Sequence, residues 1–258
     1  MSILYKFPTP LVGVTVVKRP SSVIKSPYVA DVIYDDGRRA LCHTPGLGCC
    51  GLVEAGRRIY VSEGSTGSKT DCVAQIAEST DSEGIYYTGI HPLVSQKAAQ
   101  NLLPRISEIA IWKSEVTVAD ARIDYVGVLP NGKKIYVEVK TAMISLVTAV
   151  PRSERRAIFP EGFRKKATDP VSPRAVKHAQ TLASLVNNED TEACILMFMV
   201  PRTDCGDGIT VNQTDPIYYA AVAAAVRAGV KIYAYSLEYT LDGTVRLERS
   251  IPFYINLC

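Results

Sequence analysis

A chain of 258 residues that is 47% hydrophobic can bury a substantial core, which excludes a disordered or fibrous protein. It has no apolar run of about eighteen residues. The opening "MSILYKFPTPLVGV" lacks a charged start, a long apolar stretch and a small-residue cleavage site, so the expectation is a soluble, intracellular protein of cytoplasm or nucleus, with no membrane role. The formal charge of +3 says little about partners, but residues 151–180 carry eight Lys or Arg against three acids, leaving about −2 for the rest. A concentrated basic segment matches a polyanion or forms a solvated face. Seven cysteines without CxxC spacing, two of them adjacent at Cys49-Cys50, read as reduced thiols and not as bridges or zinc ligands.

Short strands broken by turns fill the first eighty residues. "YVADVIYDDGRRALCH" alternates around a DDG turn, and "RRIYVSE" and "DCVAQIAES" continue the pattern, which predicts about five strands in a small barrel of the oligonucleotide-binding (OB) type. Between them "CHTPGLGCCGLVEAG" is too glycine-rich for a strand or helix interior and reads as a loop with accessible backbone amides. From residue 90 the pattern changes. A helix is expected over 93–103, then strands over 108–116, 121–129 and 134–140, the last two joined at the Asn131-Gly132 turn, then a basic irregular stretch to about 172. "SPRAVKHAQTLASLVNN" predicts a helix with Ser172 as N-cap and Pro173 in its first turn. "EACILMFMVP" predicts a central strand, "DPIYYAAVAAAVRAGV" a helix closed by Gly229, and "KIYAYSLEYT" another strand. The fold class is therefore α/β (α+β): an OB-like barrel over 1–85, then a mixed-sheet domain over 86–258.

"RIDYVGVLPNGKKIYVEVK" holds the residues with chemistry. Alternation puts Glu138 and Lys140 on one strand face, and the NG turn brings Asp124 back towards them. Two carboxylates placed together require a cation or a proton between them, and a hard ion such as Mg²⁺ accepts carboxylate and carbonyl oxygens, the backbone of Val139 among them. Lys140 would then stand beside the attacking water of a phosphodiester hydrolysis. Cross-strand ion pairing at a sheet edge is the alternative for the same residues.

D-x(n)-E-x-K on neighbouring strands resembles the PD-(D/E)XK nuclease superfamily, and blocks along nearly the whole chain resemble the SfsA (sugar fermentation stimulation protein A) family. "HTPGLGCCGL" is similar to the family's "HCPNTGSMxGL" loop, "RIDYVG" to "RIDFLL", "YVEVK" to the same string, and "PRAVKHAQTL" to "RGxKHLxEL". The resemblance implies an OB-like domain, a PD-(D/E)XK nuclease-like domain and a nucleic-acid ligand, DNA favoured over RNA. It implies Asp124 and Glu138 as metal ligands for Mg²⁺ (or Mn²⁺) and Lys140 as the catalytic lysine, with Glu115 or the helix near residue 100 supplying a further acid. Arg122, Arg174, Lys177 and His178 fall at family-like positions for phosphate contact, and His43 adjoins the loop. The sequence departs at Gly46, Cys49 and Cys50 in that loop, and it has Gln100-Asn101 where the family carries adjacent acids. The run Arg152, Arg155, Arg156, Arg164, Lys165, Lys166 follows the candidate catalytic strand and is expected to be a flexible phosphate-binding element. Tyr28 and Tyr60 are candidates to stack a base. The expected function is a Mg²⁺-dependent nuclease, with a non-cutting DNA-binding or regulatory protein of the same fold as the alternative; the sequence leaves room for a homodimer.

Overall fold

The computed structural model describes residues 2–46, 48–146, 148–162, 164, 166, 168–211 and 215–256, the side chain of Cys50 excepted. In chain order its strands are β1 (Ile3–Lys6), β2 (Val12–Lys18), β3 (Val29–Tyr34), β4 (Arg39–His43), β5 (Arg58–Glu63), β6 (Cys72–Asp81) and β7 (Gly84–Gly89). Helices α1 (Pro92–Gln100) and α2 (Leu103–Ile106) lead into β8 (Ile111–Val118), β9 (Ala121–Val128), β10 (Lys134–Thr141), β11 (Ile144–Ser145) and β12 (Arg156–Phe159). Then come α3 (Pro173–Leu185), β13 (Thr191–Val200), β14 (Gly208–Val211), α4 (Pro216–Ala228), β15 (Lys231–Tyr239), β16 (Thr244–Ser250) and β17 (Phe253–Tyr254).

Strands β2 to β6 close on themselves. The sheet order β4-β3-β2-β5-β6-β7 is joined end to end by a β4–β6 pairing in which Cys42 meets Cys72, so five strands form the OB-like ring and β7 extends from β6. Alternation fills the ring with Val14, Val16, Val32, Cys42, Ile59, Val61 and Ala74. Cys49, which departs from the family loop, is 1% exposed and belongs to this core. All five cysteines whose side chains are described at Cys42, Cys49, Cys72, Cys194 and Cys205 are buried and unbridged.

The second unit is a seven-stranded mixed sheet of order β1-β16-β15-β13-β10-β9-β8, with β10, β13 and β15 parallel and the flanking pairs antiparallel. Helices α3 and α4 cover one face, packing Val176, Ala179, Leu182, Tyr218 and Val222 onto Tyr136, Leu196 and Phe198. α1 covers the other, with Val94, Ala98 and Ala99 against Val137, Ile195 and Met197. Because β13 is covered on both faces, its unbroken apolar run is satisfied. Ser172 caps α3 by accepting from the Ala175 N–H at 3.2 Å, and Asp215 caps α4 by accepting from the Tyr218 N–H at 3.1 Å. Gly229 ends α4 at φ 106°, a left-handed turn that glycine adopts without steric cost. No helix among the described residues is long and apolar enough to cross a membrane.

The structure differs from sequence expectation at three places. β1 lies at the start of the chain yet pairs with β16 in the seven-stranded sheet, and the expected boundary at 85/86 falls inside β7. A four-stranded sheet, β11-β12-β14-β17, was not expected. Its β12 lies within the supposedly irregular basic stretch, and the arginines there are paired. Arg155 is 2% exposed and donates to Asp81 Oδ2 at 2.5 Å, Asp204 Oδ2 at 3.2 Å and the carbonyls of Val150 and Thr148. Arg152 donates to Asp81 at 2.8 Å, and Arg156 pairs with Asp207 beneath the Tyr254 ring. Arg202 grips Asp204 through two hydrogen bonds of 2.6 and 2.7 Å. Arg152 and Arg155 therefore tie the β6–β7 hairpin of the barrel to the neighbouring sheets, and Arg156 is held at the edge of the four-stranded sheet, where a flexible stretch was expected.

Removing one partner of a buried ion pair leaves the other charge uncompensated. Arg155→Met is expected to lower the unfolding free energy by about 3–5 kcal/mol in urea titration. Arg38→Ala, whose partner Asp36 is exposed like itself, serves as the control and is expected to change it by less than about 1 kcal/mol. Equal losses in the two variants would deny the clamp its structural role.

Candidate active site

The hairpin β9–β10 forms as the NG turn predicts: Gly132 at φ 84° donates to Leu129, and Leu129 N–H donates to Lys133. The antiparallel ladder then runs Lys134↔Val128 through Val137↔Tyr125 and stops there. In place of a backbone partner, the Val139 N–H donates to Asp124 Oδ2 at 2.8 Å. β10 nevertheless continues its parallel pairing with β13 through Thr141. The two strands thus part at Asp124 and Glu138, and the gap is held open by the Asp124 carboxylate itself.

β8 contributes the next feature. Glu115 lies between the pairs Ser114↔Tyr125 and Val116↔Ile123, opposite Asp124, with φ 57°. A left-handed non-glycine residue inside a strand costs on the order of 1–3 kcal/mol and is held only where surrounding contacts fix it. Those contacts are Arg122 Nε to Glu115 Oε2 at 2.5 Å and Gln96 Nε2 to Glu115 Oε1 at 2.9 Å. The same Gln96 amide donates to Asp124 Oδ1 at 2.9 Å, and Tyr125 Oη donates to the Gln96 carbonyl at 2.8 Å. Gln96 therefore bridges two acids from α1.

Glu138 is 1% exposed. Its Oε1 accepts from Lys140 Nζ and from His178 Nδ1, while its Oε2 is buried without a hydrogen-bond partner. His178 is 2% exposed on α3; its Nε2 accepts from Arg174 Nε at 3.4 Å, so a tautomer protonated on Nδ1 satisfies both contacts. Burial opposes ionisation of Glu138, but the His178 hydrogen bond and the Lys140 charge outweigh it and hold the carboxyl below its usual range. Asp124 goes the other way. Burial, and then repulsion from Glu138, push it from 3.8 to about 6 against the opposing Val139 hydrogen bond.

Gln96, Glu115, Asp124, Glu138 and Lys140 form the wall of a cavity of about 530 Å³ that is also lined by Pro92, Leu93, Arg122, Val139, Thr141, Phe159, Ser172 and Arg174. Asp124, Glu138, Lys140, Glu115, Val139, Arg122 and Arg174 are thus brought to one cleft. The other expected residues are elsewhere. His178 is too buried to meet a polymer and instead positions Glu138. Lys177, on α3, pairs with Asp120 at 2.7 Å outside the lining. His43 ends β4 in the barrel, near enough to His91 to oppose its charged form. Arg164 is not among the residues lining the cleft, and Lys165 lies outside the described residues. Gln96 was missed from sequence; the expected helix pair is Gln100, which is exposed, and Asn101, whose amide donates to the Leu4 carbonyl at 2.6 Å.

Residues 90–243 match the family model described as the sugar fermentation stimulation protein RE domain. The chain belongs to the SfsA family. It is 28% identical over 228 residues to a sugar fermentation stimulation protein homolog of Caulobacter vibrioides, covering 87% of this chain and 88% of that one. The homolog of Magnetococcus marinus is 26% identical over 253 residues, covering 96% and 98%. Among solved structures, SfsA of Pyrococcus furiosus in complex with Ca²⁺ superposes with a TM-score of 0.78 at 21% identity, over 99% of this chain and 100% of that one, which shows the shared fold.

The charge arrangement has a direct readout. In the metal-free protein the Asp124 carboxyl is expected to titrate near 6 by carbon-13 NMR. Glu138→Gln removes the repelling charge and should move that value down. Because the folded pKa lies above the unfolded value of about 3.9, Asp124 stabilises the fold most below pH 4, and this contribution is lost as pH rises through about 6. Titration of Asp124 near 4 in the unaltered protein would contradict the geometry.

Proposed function

We propose that this chain is a divalent-cation-dependent nuclease that hydrolyses phosphodiester bonds in nucleic acid, with DNA favoured over RNA. One observation carries the reading: two buried carboxylates, one raised to about 6 and the other with an orphaned Oε2, sit beside a lysine in a cleft that also presents Arg122 and Arg174. A buried unpartnered carboxylate oxygen costs free energy unless a cation or donor meets it. The donor set is hard oxygen, which suits Mg²⁺ or Mn²⁺. Asp124 and Glu138 would hold the ion, with the Val139 carbonyl and Glu115 as further oxygens. That a relative of the same fold was solved with Ca²⁺ supports a divalent cation.

When bound, the cation supplies positive charge to the attacked phosphate and acidifies the attacking water. The remaining work falls to the chain. Arg122 and Arg174 line the cleft and offer guanidinium donors to phosphate oxygens. Lys140 Nζ, held against Glu138 Oε1 and 3.2 Å from His178 Nδ1, orients the water and stabilises charge developing on phosphorus. His178 fixes the Glu138 carboxylate, and the Val139 N–H anchors Asp124 in the parted ladder.

A second reading has its own support. Lys140 and His178 already compensate Glu138, and the neutral Gln96 amide already ties Asp124 to Glu115, so the cleft is partly neutralised without a cation. This favours a protein of nuclease-like fold that holds DNA without cutting it. Incubation with single- and double-stranded DNA and RNA, in Mg²⁺, Mn²⁺ or EDTA, separates the two. The expected outcome is cleavage that needs the metal and falls at least a hundredfold in Glu138→Ala and Lys140→Ala, a loss of about 3 kcal/mol of transition-state stabilisation. Tight, salt-sensitive binding with no cutting under any metal would leave the second reading standing alone.

A further inference from the structure

The barrel closes at the β4–β6 seam, and two thiols face each other across it. This parallel seam is short, holding only the register Cys42↔Cys72 and His43↔Val73, whereas β5 pairs with β6 along its whole length. Just before the cysteines the register is locked: the Asp71 N–H donates to the Leu41 carbonyl at 2.8 Å, and the Leu41 N–H donates to Asp71 Oδ2 at 2.8 Å. Partnered residues of neighbouring parallel strands send their side chains to one face, and strands lie about 4.8 Å apart, inside the Cα window of about 4.4–6.8 Å that a disulfide spans. Cys42 and Cys72 are 0% and 1% exposed, and both belong to the barrel core with Val14, Val32 and Ala74.

The two sulfurs are not equivalent. The Cys42 thiol donates to Cys72 and the Tyr34 hydroxyl does the same, and together they hold the Cys72 thiol below its usual range although burial opposes ionisation. Giving that hydrogen bond, together with burial, pushes the Cys42 thiol up. A thiolate is the form that attacks an oxidant, and a second thiol in contact with it resolves the product. Cys49 is the competitor for that second role. It lies in the same core, near enough for its charge to act on Cys42, but its Sγ is turned to the Gly46 carbonyl at 3.2 Å. Neither Cys42 nor Cys72 lines the cleft.

We propose that the Cys42–Cys72 pair is a site of reversible oxidation, at which hydrogen peroxide converts two thiols into a disulfide that staples the seam of the barrel. The Cys72 sulfur attacks one peroxide oxygen; an S–O bond forms, the O–O bond breaks, and the departing hydroxide leaves as water with the proton Cys72 gave up. Cys42 then attacks the Cys72 sulfenic sulfur; the S–S bond forms, the S–O bond breaks, and the second hydroxide leaves as water with the Cys42 proton. The thiols lose two electrons and the peroxide is reduced to two waters. Since both sulfurs are buried, peroxide reaches them when the short seam opens locally, and the staple then prevents that opening. The bridge closes the chain between β4 and β6 into a loop, so the oxidised barrel is the more stable form. This inference is independent of the nuclease reading of the cleft.

The test exposes the folded full chain to hydrogen peroxide, blocks the remaining thiols by alkylation and maps the peptides by mass spectrometry without reduction. The expected product links Cys42 to Cys72 with loss of two hydrogens, and dithiothreitol restores both thiols. The midpoint of thermal unfolding is expected to rise by about 5–10 °C in the oxidised form. Cys42→Ala removes the resolving thiol, so oxygen should be retained on Cys72 and the thermal gain lost. Because Cys42 is in the barrel core and its variant can fail to fold, the peptide map of the unaltered chain decides. Two free thiols after exposure, a link from Cys42 to Cys49, oxygen retained on Cys72 of the unaltered chain, or a bridge that forms only after unfolding in urea would overturn the proposal.

Discussion

Burying two acids side by side on neighbouring strands is the constraint that shapes the centre of this molecule. Water no longer solvates Asp124 or Glu138, and at that spacing each raises the cost of ionising the other. The surroundings answer with an N–H from Val139, an amide from α1, an ammonium two residues along β10 and an imidazole from α3. These come from three elements, β10, α1 and α3, so the site exists only when the sheet is flanked by helices on both faces. The parted β9–β10 ladder and the left-handed Glu115 are the local conformational costs of the same arrangement. Such costs persist where the surrounding fold over-determines the backbone.

Positive charge is distributed by the same economy. Of the basic residues that give residues 151–180 their excess, Arg152 and Arg155 meet Asp81, Arg156 meets Asp207 and Lys177 meets Asp120. Among the described basic residues of that segment, Arg174 alone lines the cleft, where Arg122 from β9 joins it. The Tyr86 ring, with Arg152, Arg155 and Arg202 all within 6.0 Å of its centroid, shows how tightly the barrel hairpin is held. That clamp fixes β6 relative to the seven-stranded sheet.

Local chemistry was legible where one residue type has one job. The Asn131-Gly132 turn, the Ser172 cap followed by Pro173, Gly229 after α4 and the covered apolar run of β13 all follow from steric or hydrogen-bonding rules that act within a few residues. The Asp, Glu and Lys of the hairpin were legible through alternation and the turn. Pairings between distant segments were not: β1 with β16, or the short sheet holding β12, leaves no local signature in four residues of strand. A run of arginines reads as a free cationic patch because its acidic partners, Asp81 and Asp204, lie about seventy residues upstream and fifty downstream. Gln96 escaped for a related reason. A glutamine on a helix carries no charge pattern, and its role depends on which helical face meets the sheet.

Gln96 also decides how the site balances charge. Its single nitrogen gives both protons to carboxylates, one on Asp124 and one on Glu115, where an acid at that position would have added a further negative charge to three already gathered. With a neutral amide there, that charge is absent, and burial with the Glu138 repulsion drives Asp124 towards protonation. The cost is a weaker pull on a divalent ion, since affinity for hard cations grows with the number of carboxylates. In the proposed cation site the attraction would fall on Asp124 and the unpartnered Glu138 Oε2, which would couple cation binding to proton release from Asp124.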